Sequence, residues 1–165
     1  MEKKTNGILD VRELACYIKC SFFEKYQKEI SPVKLQKALY FCFAYWGGFI
    51  EKGRGTIEEI KQSSYLYDAT FEAWIYGPVI PLIYYELQEN NLNEVVTEDE
   101  LFKDNDFLKE TINSLLDDVF ETSDFNLIEA AQTDKCWISS FDVNDTKHNK
   151  IINCDDIINE YAFKY

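Results

Sequence analysis

A mainly α domain with one small β element is the fold class this sequence predicts, and three observations predict it. Apolar residues recur every three to four positions in long stripes that begin at Val11, Leu35 and Phe107. Only one short stretch, Phe71 to Tyr76, alternates with a period of two. Hydrophobic residues make up 46 % of the 165 positions and aromatics 16 %, enough for one core despite a formal charge of −13. The expectation is a single compact helical domain over residues 1–165, with a strand or hairpin around residues 70–77 and no internal repeat or low-complexity tract.

Asp10 is a suitable N-cap for a first helix, since Val11, Leu14, Ile18, Phe22 and Tyr26 then share one face, and this helix is expected to end near Glu29. Ser31-Pro32 restarts the chain with a cap hydroxyl and a proline at the first helical position. Leu35, Leu39, Cys42, Phe43, Trp46 and Phe49 give the second helix its apolar face, and Gly47-Gly48 suits a left-handed C-terminal end. Residues 51–67 read as a polar connector.

In the alternating stretch Phe71, Ala73 and Ile75 face one way, and Glu72, Trp74 and Tyr76 the other. Gly77 permits a turn, Pro78 fixes φ after it, and Pro81 falls in the first turn of a helix expected to run through Asn90. Residues 91–106 are acidic and loop-like. Phe107, Leu108, Ile112, Leu115, Leu116 and Val119 mark a third strong helix, and Asp124 can cap a short fourth one through Leu127, Ile128 and Ala131. Trp137 is placed in a turn, residues 139–150 are polar, and Asn153-Cys154-Asp155-Asp156 opens a closing helix with Ile157, Ile158 and Tyr161.

Charge is lopsided. Residues 1–55 carry 10 basic against 6 acidic side chains, net +4, whereas residues 56–165 carry 7 against 24, net −17. The basic candidates for a nucleic-acid footprint are Lys19, Lys25, Lys28, Lys34, Lys37, Lys52 and Arg54. They flank amphipathic helices and read as a solvated face, and the net acidity repels phosphate, so no direct nucleic-acid contact is expected. No run of about 18 apolar residues and no secretory signal is visible, which leaves the cytoplasm as the default compartment and no membrane partner.

Catalytic equipment is sparse. The lone histidine, His148, sits in a polar stretch and reads as a surface residue, not as a base for a nucleophile. Phosphate-cradle and zincin patterns are absent. The adjacent pairs Glu58-Glu59 and Asp117-Asp118 point different ways on a helix and read as solvated faces. Cys16, Cys20, Cys42, Cys136 and Cys154 are odd in number and scattered, most of them beside apolar or helical neighbours, and read as buried free thiols. Cys16 and Cys20, four apart, make at most half a metal site. No enzyme, metal or cofactor is expected.

SPVKLQKALYFCFAYW and FEAWIYGPVIPLIY resemble the Panacea (SocA-like) domain, a phage- and prophage-associated bacterial family. Lys34-Leu35-Gln36-Lys37 with Leu39-Tyr40 is similar to the family's MKLQKLLY-type helix, with Val33 and Ala38 departing from it. Phe71-Glu72-Ala73-Trp74, Tyr76-Gly77-Pro78-Val79, Pro81 and Tyr84 follow FEAWxYGPVxPxxY closely. In AQTDKCW, Gln132 and Cys136 replace the histidine and proline of a THxxxPW-like element, and Trp137 is kept. Together these motifs cover most of residues 10–140, and the acidic C-terminal half lies outside them.

The resemblance implies a mainly helical, non-enzymatic domain that acts as antitoxin or adaptor on a partner protein, a cognate toxin or a host defence protein. On the residues themselves, Glu72 is expected to be held by Lys34 or Lys37. Trp74, Tyr76, Pro78 and Tyr84 then form either a structural corner or an exposed aromatic grip. The alternative function is an acidic nucleic-acid mimic that inhibits a host defence nuclease. Its surface would comprise Glu94, Glu98, Asp99, Glu100, Asp104, Asp106, Asp117, Asp118, Glu121 and Asp124.

Overall fold

The computed structural model describes residues 7–53, 63–145, 147 and 149–164, and among these it contains eight helices and one three-stranded sheet. Arg54, Glu58, Glu59 and His148 lie outside the described residues. Helix α1 (Val11–Tyr26) starts where expected, with the Asp10 carboxylate accepting from the N–H groups of Arg12 and Glu13 at 2.9 and 3.1 Å. It stops three residues before Glu29. Gln27 turns left-handed at φ 56° and donates its N–H to the Phe23 carbonyl, which closes the last turn.

Helix α2 (Pro32–Gly53) is the axis of the fold. Ser31 Oγ accepts from the Lys34 N–H at 3.0 Å and so caps the helix. Every residue from Leu35 to Ala44 is buried, so this helix is wrapped on all sides and has no single apolar face. Around it pack α1, α5 (Asp106–Glu121), α6 (Asp124–Gln132), α8 (Cys154–Lys164) and the sheet. Phe49, expected inside, is instead 52 % exposed and leans on Phe107, which is itself exposed.

The expected left-handed ending at Gly47-Gly48 is wrong. Both glycines continue the helix, and their missing side chains let α8 approach. A Cβ on Gly48 would lie 2.7 Å from the Tyr161 carbonyl carbon, and one on Gly47 would lie 2.6 Å from Ile158 Cγ1.

Strands β1 (Phe71–Trp74), β2 (Gly77–Val79) and β3 (Ile151–Ile152) pair antiparallel in the order β2-β1-β3. The alternation predicts a strand through Tyr76 with Ile75 on the face of Phe71 and Ala73. Ile75 and Tyr76 form instead the two-residue turn between Trp74 and Gly77, and both are more than half exposed. Gly77, at φ 112°, takes the backbone conformation that a side chain would oppose. Pro81 heads α3 (Pro81–Gln88), which ends two residues before Asn90.

The acidic stretch 91–106 is not simply a loop. Thr97 caps α4 (Glu98–Phe102), and Leu92, Val96, Leu101 and Phe102 turn into the core. Helix α5 is capped by Asn105. The cap of α6 is Ser123, whose Oγ accepts from Asn126, and not Asp124; the Asp124 carboxylate accepts the Ser31 hydroxyl at 2.6 Å. Trp137 falls within a short helix, α7 (Lys135–Ile138), and Asn153 caps α8 as expected. The core is aromatic: Trp46, Tyr40, Tyr67, Phe43 and Phe71 are all fully buried, and Phe43 touches Tyr67 and Phe71 at ring distances of 5.2 Å.

Candidate partner-binding site at the clasped hairpin

The hairpin is held by side chains from three helices. From α2, Gln36 meets both backbone groups of Ile80, accepting its N–H at 2.9 Å and donating to its carbonyl at 3.1 Å. One turn of chemistry thus satisfies the strand exit before Pro81 begins α3. Lys37 donates to the Pro78 carbonyl at 3.2 Å. From α6, Gln132 donates to the Ile75 carbonyl at 2.9 Å, and from α7 the Trp137 indole donates to the Trp74 carbonyl at 2.8 Å. Gln132, standing where the resemblance puts a histidine, therefore anchors the turn.

Neither lysine holds Glu72, contrary to expectation. Glu72 accepts from the Trp74 indole at 2.9 Å. Lys34 reaches the other way, donating to the Phe120 and Thr122 carbonyls at 3.0 and 2.7 Å and pairing with Asp124 at 3.7 Å, so that its charge closes the C-terminus of α5. Lys37 is 1 % exposed, no carboxylate among the described residues pairs with it, and burial lowers its pKa to about 8.

Tyr40 belongs to a deeper network that the sequence reading missed. Its hydroxyl donates at 2.5 Å to Asp134, which also accepts from the Tyr161 hydroxyl and from Lys164 Nζ, both at 2.6 Å. Asp134 stands at the N-cap position of α7, yet its carboxylate points inward. Glu160 from α8 takes over the cap, accepting from the N–H groups of Lys135 and Cys136 at 2.9 and 2.8 Å. Burial drives the Tyr40 and Tyr161 phenols well above their ordinary pKa, and the Cys136 and Cys42 thiols up to about 12. These thiols stay protonated and are poor nucleophiles.

Outward from the clasp the hairpin and α3 show aromatic rings. Trp74 touches Tyr84 at 4.9 Å between centroids, and Tyr84 touches Tyr85 at 5.3 Å. Tyr85 and Tyr76 are 56 % and 59 % exposed, with Ile75 and Leu82 close behind. The corner is thus both structural and accessible: Gln36, Lys37, Pro78 and Trp137 are buried, Trp74 and Tyr84 half-buried, and Tyr76 and Tyr85 open.

The acidic residues Glu94, Glu98, Asp99, Glu100, Asp104, Asp106, Asp117, Asp118 and Glu121 are exposed on the α4–α5 side, with Asp124 partly covered. Several have internal partners. Lys25 lies 3.7 Å from Asp117 and 4.0 Å from Glu121, Lys109 pairs with Asp106, and Glu98 accepts from Tyr17 and Asn113. Lys19 donates to the Leu92 carbonyl. No cluster of three or more metal-ligating side chains occurs among the described residues, and no helix among them is long and apolar enough to cross a membrane.

Fold and site together define a mainly helical domain built on a clasped β-hairpin. The family model described as "Antitoxin SocA-like, Panacea domain" matches residues 57–161, more than half of the chain, and the chain belongs to that family. No curated protein and no solved structure matches it. The match takes in the hairpin, the acidic α4–α5 region and α8, and it begins after the Lys34-Leu35-Gln36-Lys37 turn of α2. The hairpin and Trp137 motifs fall within the match, but the roles of Asp134, Glu160, Tyr161 and Lys164 were not legible in the sequence, because Asp134 meets Tyr40 across 94 residues.

Proposed function

We propose that this chain is a non-enzymatic, cytoplasmic antitoxin of a phage or other mobile element that neutralises a toxin protein by binding it stoichiometrically. Membership of the antitoxin-like family supports the role. The observation that carries the surface is the ladder Trp74–Tyr84–Tyr85, which runs from β1 onto α3, next to the exposed Tyr76 turn of a hairpin whose backbone and exit are pinned by Gln36, Lys37, Gln132 and Trp137. Rigid aromatic side chains give large contact area at low entropic cost, which is why tyrosine and tryptophan dominate binding hot spots. A non-enzymatic role is supported by Tyr40, Tyr161 and Lys164 being engaged with Asp134, and by the buried Cys42 and Cys136 thiols being held protonated.

The test is capture of the tagged chain from its native host with elution in steps of rising salt, together with co-expression of the protein encoded beside it. A small partner retained through high salt, whose growth arrest this chain relieves, is the expected result. Release of a nucleic-acid-processing enzyme at moderate salt would replace this reading with the acidic mimic, whose surface is the α4–α5 side, because exposed charge pairs are screened by salt.

A further inference from the structure

Beside the aromatic ladder lies a cleft of about 810 Å³, bounded by the outer face of the sheet and the N-terminal ends of α3 and α8. A space of this size accommodates a ligand of several side chains. Glu72 and Ile151, opposite each other in the β1–β3 register, both line it, as do Leu82 and Asp155. Ile151 is 67 % and Leu82 50 % exposed, so apolar surface stays open there in a chain that buries most of its aliphatic residues. Among the described residues the charged groups lining the cleft are the carboxylates Asp68, Glu72 and Asp155, with no lysine or arginine.

Glu72 and Asp155 are positioned but not neutralised. Glu72 accepts from the Trp74 indole and Asp155 from the Tyr65 hydroxyl at 2.5 Å, both uncharged donors, and among the described residues neither has an ion pair. Each carboxylate keeps lone pairs for a further donor. A purely apolar occupant would bury these charges unpaired, and an acidic one would face three carboxylates.

Resting on the partner-binding reading above, we propose that this cleft receives a short basic-and-apolar peptide segment of the partner protein. A lysine or arginine sits against Glu72 and Asp155, and a neighbouring aliphatic side chain packs on Ile151 and Leu82. The site continues the aromatic ladder, since Glu72 holds the Trp74 ring.

The probe is a fluorescein-labelled hexapeptide alternating leucine with lysine or arginine, followed by anisotropy, with a leucine–glutamate peptide as the charge-reversed control. The wild type is expected to bind the cationic peptide and not its control. Glu72→Gln with Asp155→Asn, which keeps both internal hydrogen bonds, is expected to weaken binding about tenfold or more. Ile151→Thr, at an exposed position, is a second variant that removes apolar contact and is expected to weaken it too. Asp117→Asn with Asp118→Asn, on α5, is expected to leave affinity unchanged. Equal losses in the two acidic pairs, equal binding of both peptides, or no binding of the cationic one overturns the proposal. Partner capture that survives in the Glu72→Gln/Asp155→Asn variant would leave the antitoxin reading standing and remove only the cleft. A cleft that binds peptide in a chain that captures no partner would do the reverse.

Discussion

Lys37 and the Pro78 carbonyl, 3.2 Å apart, join the central helix to the second strand of the hairpin through a side chain that is 1 % exposed. An ammonium group carries three donors, and only one acceptor faces it among the described residues. The amine fits so closely under the turn that a Cβ on Gly77 would lie 3.0 Å from Lys37 Cε and 3.3 Å from Nζ. The hairpin is thereby registered on α2 by a group that folding makes easier to deprotonate.

That group predicts a pH dependence. Burial lowers the Lys37 pKa from 10.5 to about 8. Below about pH 8 both folded and unfolded chains hold the proton, and the full burial penalty applies. Above it the folded chain sheds the proton while the unfolded chain keeps it, so the unfolded state binds more protons and stability rises with pH toward 10.5. Buried thiols with raised pKa pull the other way from about pH 9, because the unfolded chain loses those protons first. Their contribution cancels in a comparison with Lys37→Met. Urea unfolding at pH 7 and 9 is expected to show the wild type gaining about 1 kcal/mol relative to the variant. A gap independent of pH would show that the amine is not buried as described.

A glycine substitution tests the helix crossing. Alanine is a better helix former than glycine by about 1 kcal/mol, so Gly48→Ala in a free helix would stabilise. Here the new methyl would lie 2.7 Å from the Tyr161 carbonyl carbon, which is backbone and cannot swing aside. Overpacking is expected to win, with a net loss of about 2 kcal/mol in urea unfolding. A gain would mean that α8 sits further from α2.

The helix ends most visible in the sequence were those with local chemistry. Asp10 and Ser31-Pro32 satisfy N–H groups two or three residues away, so residue type and spacing suffice to find them. The hairpin turn was hidden because Ile75 and Tyr76 are good strand residues, and only pairing across Trp74 and Gly77 makes them a turn. Helix α4 was hidden because its acidic residues mask Leu92, Val96, Leu101 and Phe102, whose burial depends on α1 and α5. Gly47 and Gly48 are explained by α8, more than a hundred residues later, and nothing near them in sequence signals the crossing.

Asp134 is expected to be the most sensitive polar position. Removing its carboxylate leaves two buried hydroxyls and Lys164 without their shared acceptor, so Asp134→Ala is expected to cost about 3 kcal/mol. Hydrogen exchange should quicken in α8, which Tyr161 and Lys164 tie to this carboxylate. Lys164→Met is expected to cost less than Asp134→Ala, because the lysine is 36 % exposed and the buried carboxylate keeps both tyrosine hydroxyls as donors. Equal costs would place the network's stability in the ion pair instead of the tyrosines.

The aromatic ladder separates packing from binding along its own length. Trp74 is half-buried, donates to Glu72 and packs on Tyr84, so Trp74→Ala is expected to lower stability by about 2 kcal/mol and confound any binding measurement. Tyr85, 56 % exposed at the outer end, is expected to tolerate alanine within about 0.5 kcal/mol. If the ladder is the gripping surface, Tyr85→Ala melts like wild type and still loses partner affinity by about tenfold or more. Partner capture and growth protection that persist unchanged in Tyr85→Ala would remove the ladder from the interface and leave it as the outer wall of the corner.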